Sequence, residues 1–146
     1  MALRDKVTIL FSDIIDIDDI QSLDEAIIKL MEMNSQWLEG LNVLIYCHKG
    51  KSDPSVSTCA KIKSRLQLPQ VLPITLAESG RIALMQARTI LSWLMTGSNC
   101  SKAICLLAER VGYDIPDPLR EHRFRISIIC IESYYKAEEK GKAESV

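Results

Sequence analysis

The sequence holds little that would announce a chemistry. Its two histidines, His48 and His122, and five cysteines without a C-x-x-C pair leave no recognisable zinc-ligand spacing. Residues 47–53, CHKGKSD, lack the second glycine and the spacing of a phosphate-binding P-loop, and residues 13–19, DIIDIDD, lack the glycine and closing glutamate of a calcium loop. No apolar run reaches the roughly 18 residues of a membrane span. No secretory leader precedes the cysteines, so Cys47, Cys59, Cys100, Cys105 and Cys130 are expected to be reduced thiols inside a cell, most of them small core residues. A net charge of −1 gives no global attraction to nucleic acid or membrane, so any such binding must come from a local patch. No nucleophile stands in a pattern with a base, and catalytic residues, metal and cofactor are all expected to be absent.

What is present is the alternation of an α/β protein. At 146 residues the chain is long enough to bury a core without staples. Val7, Ile9, Leu10 and Phe11 read as a first strand stopping at Ser12-Asp13. The carboxylates that follow, Asp13, Asp16, Asp18 and Asp19, suit either a divalent metal or a solvated loop leading into a helix, and the second reading is preferred because acidic residues favour helix N-termini. Ser22 with Glu25 makes a capping box for a helix running to about Glu39, with Ile27, Leu30, Met31 and Leu38 at helical spacing and Gly40 closing it. Val43-Leu44-Ile45-Tyr46 is a continuous run of strand formers, as expected of a strand buried on both faces, and Val71–Leu76 is a second. Between them Ser52 or Asp53 caps a helix with Pro54 in its first turn and Cys59, Ile62 and Leu66 as its buried stripe.

Lys49, Lys51, Lys61, Lys63 and Arg65 form the one clearly basic region and are candidates for phosphate contact, against the plainer reading of a solvated face. The helix from about Ala77 to Met95 carries two apolar stripes. Ala83, Leu84, Ala87, Leu91 and Leu94 suit packing on the sheet, while Ile82, Met85, Thr89 and Trp93 lie on a different side and need a second cover, within the chain or from another. A helix is then expected over Lys102–Val111. Residues 117–136 are ambiguous, because Phe124, Ile126, Ile128 and Cys130 alternate like a strand while Asp117-Pro118 looks like a helix start; helix is preferred. Gly141–Val146 is expected to fray.

Residues 7–95, in the order VTILFSD, helix, NVLIYCHKGKSDP, AKIKSRLQLP, VLPI and ESGRIALMQ, resemble the nuclease-like central domain of XPF-type structure-specific endonucleases, and in particular their inactive small subunits. The family's ERKxxxD motif is matched at residues 47–53 only by its Lys and Asp, with Cys47 and His48 where Glu and Arg belong, so the resemblance implies a pseudo-nuclease. It implies an α/β fold with a small, mainly parallel sheet flanked by helices over residues 1–97, and a C-terminal helical segment over 98–140. It implies a nuclear, non-catalytic subunit that pairs with a larger XPF-like protein through Ile82, Met85 and Trp93. That complex would support branched-DNA binding in recombination or repair, through Lys49, Lys51, Lys61, Lys63 and Arg65, with no small-molecule substrate and no membrane. Two other readings stay open: a scaffold subunit of an unrelated complex, and a small α/β enzyme using Asp13, Asp16 or Cys47 at strand ends, where such folds place their sites.

Overall fold

In the computed structural model, residues 3–16, 22–48, 58–78, 80–97, 101–111 and 123–135 are described. They form a five-stranded mixed sheet flanked by three helices, an α/β fold as expected. The order along the chain is β1 (Leu3–Asp16), α1 (Ser22–Met33), β2 (Val43–Cys47), α2 (Thr58–Arg65), β3 (Leu72–Leu76), α3 (Gly80–Gly97), β4 (Lys102–Arg110) and β5 (Arg123–Tyr135). Across the sheet the order is β1-β5-β4-β2-β3. β2 runs parallel to both β3 and β4, and β5 is antiparallel to β4 and to β1. No described helix is long and apolar enough to cross a membrane.

The sheet is centred on two runs buried on both faces. Val43–Cys47 is buried throughout and pairs in register with Ala103–Leu107. On one face α1 and α2 pack Leu23, Ile27, Met31, Cys59 and Ile62 against Leu44, Tyr46, Ile104, Leu106 and Phe124. On the other, α3 lays Ala83, Ala87, Leu91 and Met95 over Val43, Ile45, Ala103, Cys105 and Ile129. Local chemistry sets the ends of these elements. Asn34 turns its side-chain amide back to the Leu30 carbonyl at 2.8 Å, α1 gives way to a 3-10 turn at Ser35–Leu38, and Gly40 takes a φ of 70° that lets the chain reverse into β2. Gly80 opens α3 with a φ of 61°, where a side chain would be strained and its Cβ would come within 3.1 Å of the Glu109 carboxylate.

Two expectations for the C-terminal part need correction. Residues 102–110 are a strand rather than a helix, and 123–135 are a strand as well, so this part joins the sheet instead of forming a helical extension. Ala103 to Ala108 is an unbroken buried run; with no polar residue to mark a face, a strand covered on both sides satisfies the same pattern as a short buried helix. In β5 the period of two prevails: Phe124, Ile126 and Ile128 face α1 and α2, while Ile129 and Ile131 face α3. The Asp117-Pro118 start lies outside the described residues, as do Asp18, Asp19, Pro54 and the Gly141–Val146 tail. β1 extends to Asp16, so Asp13 and Asp16 sit within a strand and not in a loop.

Because cover on both faces is what holds β4, its central side chains should dominate stability. Ile104→Ala is expected to cost about 3 kcal/mol, against well under 1 kcal/mol for exposed Met33→Ala, in urea unfolding followed by circular dichroism. Comparable losses would show that β4 is not the sheet's centre.

Candidate functional site

In open α/β sheets, sites form beyond the carboxyl ends of the parallel strands, where the following helices begin. Among the described residues, the buried polar side chains are Asp24, His48 and Thr58, and all three gather at that end of β2. Asp24 lies in the first turn of α1 and Thr58 opens α2, so both helix N-termini meet there. The Thr58 hydroxyl donates to Asp24 Oδ1 at 2.8 Å, and Lys61, one turn further along α2, reaches Asp24 Oδ2 at 3.1 Å. The positive ends of the helices favour the carboxylate between them. Tyr46, the penultimate residue of β2, adds a buried phenol whose pKa is pushed above its ordinary value, first by burial and then by the Asp24 charge. His48 continues the line of β2, its backbone N–H donating to Leu76 O at 3.1 Å. Its ring stands edge-on to Tyr46 and to Phe124, at centroid distances of 5.9 and 6.0 Å.

The arrangement unites a carboxylate, an ammonium, two hydroxyls and an imidazole at one strand end. It also ties α1 to α2, which is a structural role in its own right. Of these residues the sequence had singled out Lys61, as a member of the basic region, and His48, as one of two histidines. Asp24 and Thr58 give no local signal, since an Asp in a first helical turn and a Thr at a helix start are ordinary capping chemistry.

The other expected site residues fall elsewhere. Cys47 is one residue from His48, and the strand period turns it to the opposite face, under α3. Burial pushes its thiol up to about 12 from an ordinary 9.0, and Cys105 is likewise pushed up to about 12, so both are held as neutral thiols and not as nucleophiles. Asp16 is engaged by Arg123 at 2.8 Å, and Asp13 accepts from the Ile14 N–H at 2.8 Å; among the described residues no group of three or more His, Cys, Asp or Glu converges as a metal would require. Of the basic residues that are described, two are engaged by acids. Lys61 pairs with Asp24, Arg65 with Glu25 at 2.9 Å, Lys63 lines a shallow apolar hollow with Leu68, Pro69 and Pro73, and Lys49 and Lys51 lie outside the described residues. Ile82, Met85 and Trp93 share the exposed outer side of α3, apart from the stripe on the sheet.

No family model matches the chain, and no curated protein sequence does. Among solved structures, AbyA1, a tetronic acid condensing enzyme, is similar over 69% of this chain and 34% of its own, with 16% identity and a TM-score of 0.48. MvaS in complex with 3-hydroxy-3-methylglutaryl coenzyme A is similar over 76% of this chain and 28% of its own, with 16% identity and a TM-score of 0.44. The chain thus spans about a third of the proteins it matches, and at these scores the likeness assigns no activity. Neither is an XPF-type nuclease, and the C-terminal helices expected from that resemblance are strands. The resemblance is therefore corrected, and with it the XPF-like partner, the branched-DNA role in repair or meiosis, and the expectation of a non-catalytic chain without a small-molecule substrate.

The raised thiol pKa values give a signed pH dependence. Unfolded cysteines lose their protons near 9 while the folded ones keep theirs to about 12, so the unfolded state binds fewer protons in that window. Folding stability is fully present below pH 9 and should fall as pH rises toward 12, by up to about 1.4 kcal/mol per pH unit for each thiol. Urea midpoints measured across that range should drop, and the drop should shrink in Cys105→Ala; an unchanged slope in the variant would contradict the assignment.

Proposed function

We propose that the chain is a small α/β enzyme that acts on a small polar substrate at the carboxyl end of β2. The observation that carries this reading is the convergence of Asp24, His48 and Thr58, the buried polar side chains among the described residues, at one strand end where two helix N-termini meet. In this reading His48 moves the proton, since imidazole is the side chain best suited to do so near neutral pH. The Asp24–Lys61 pair sets a fixed field, and the Thr58 and Tyr46 hydroxyls supply orienting hydrogen bonds. Lys49 follows His48 in the chain and Lys51 comes two residues later, and their charge fits a substrate of negative charge. The reading uses the strand end that the enzyme alternative pointed to, with His48 in the place of Cys47.

The test is a thermal-shift screen of the wild-type chain against small phosphates, carboxylates, sugars and acyl thioesters. A stabilising compound is expected from an anionic class. Lys61→Met, which removes the ammonium beside Asp24, should weaken its binding at least tenfold. His48→Gln should leave binding within a few-fold while lowering turnover of a substrate from that class by about 10² to 10⁴. A screen without any stabilising compound, or one whose compounds bind both variants as tightly as wild type with unchanged turnover, would refute the assignment.

A further inference from the structure

We infer that the outer side of α3 and the adjoining margin of the sheet form a reciprocal interface between two copies of this chain. Five strands spaced about 4.8 Å apart present a face roughly 20 Å wide, and one helix with its side chains covers about 10 Å of it. Among the described residues, the face under α1 and α2 has two helices, while the opposite face has α3 alone. The width left over lies on β1. There Val7 and Ile9, paired with Ile131 and Ile129, point to the α3 side and are 45% and 67% exposed. α3 itself is apolar on its outer side, where Ile82 is 57%, Met85 63% and Trp93 74% exposed. One chain thus carries both an exposed ridge and an exposed floor. A two-fold axis satisfies both at once, each α3 lying on the β1 margin of the other sheet.

A second copy fits this surface better than an unlike partner does. Between Ile82 and Met95 the one charged residue is Arg88, and it is tied within the chain to Asp5, the carboxylate of the floor, at 3.7 Å. Along that stretch of the helix no charge is left over for an acidic or a basic partner to complement, and two copies meet there without like-charge repulsion. Its hydroxyls are satisfied inside the helix, Thr89 donating to Met85 O at 3.0 Å and Ser92 to Thr89 O at 3.1 Å, so drying this side strands neither group. The five apolar side chains expose on the order of 600 Å² per chain, approaching the roughly 800 Å² per partner of a stable interface, and Trp and Met are types enriched in interface cores.

Analytical ultracentrifugation of the full chain across a concentration series should show a dimer. Trp93→Glu on the ridge and Ile9→Lys on the floor should each weaken it at least tenfold, with circular dichroism confirming the fold. Because each dimer has two ridge-on-floor contacts, mixing the two variants leaves one contact native and joins Glu to Lys in the other, and dimer should reappear. Ile82→Glu with Val7→Lys serves as a second pair should either first variant fail to fold. A monomeric wild type overturns the proposal, including one whose surface instead takes up another protein. So does an Ile9→Lys chain that dimerises like wild type, which would mean that the helices meet ridge to ridge or not at all, or a mixture that stays monomeric.

Discussion

The parallel pairing of β2 with β4 is the contact on which the rest of the structure depends. Val43–Cys47 and Ala103–Leu107 are apolar on both sides, so the pair has no solvent face and is stable only if both sides are covered. Burying each large side chain contributes about 1.5–3 kcal/mol, enough that exposure of either face would exceed the net stability of a domain this size. α1 with α2 on one side and α3 on the other follow from that requirement. β5 then closes the free edge of β4, and β1 that of β5.

The two covers are unequal, and the inequality decides where polar groups sit. On the α1–α2 side two helix N-termini converge above the end of β2, and orphan backbone donors with their positive dipole ends call for a carboxylate. Asp24 supplies it, and Thr58 and Lys61 fix its two oxygens from the neighbouring helix. Among the described residues, the single helix on the other side brings no second N-terminus. Its core, from Val43 to Met95, is built of aliphatic, alanine, methionine and cysteine side chains. The candidate site is therefore on the two-helix side for a reason of packing as much as of chemistry.

This division explains what could be read from the sequence. β2 and β3 declared themselves as short runs of strand formers between turn residues, and α1 and α3 as stripes at helical spacing. β4 did not, because Ala103-Ile104-Cys105-Leu106-Leu107-Ala108 has no polar residue to set a period. In β5 the alternation of Phe124, Ile126 and Ile128 outweighs the apparent helix start before it, since long-range pairing with β1 and β4 overrides local propensity. Of the candidate site the sequence offered little: of the three strand-end residues singled out, Asp13 and Asp16 lie in β1, and Cys47 stands beside His48 in the chain but is separated from Tyr46 and His48 by the whole thickness of the sheet.

The cations of α2 show why spacing alone misled toward nucleic acid. Lys61 and Arg65 stand four apart on one helix side, as a phosphate-binding face would have them. The side they share faces α1, whose first turn carries Asp24 and Glu25, and each cation takes one of these acids. The Arg65–Glu25 pair is open to water and stabilises little, since exposed ion pairs contribute from nothing to about 1 kcal/mol. Lys61 meets a carboxylate that is largely out of water, where removing one partner leaves the other without its counter-charge. Two cations alike in sequence thus differ in consequence, because the depth at which α1 places its acids, and not the pattern on α2, decides which of them matters.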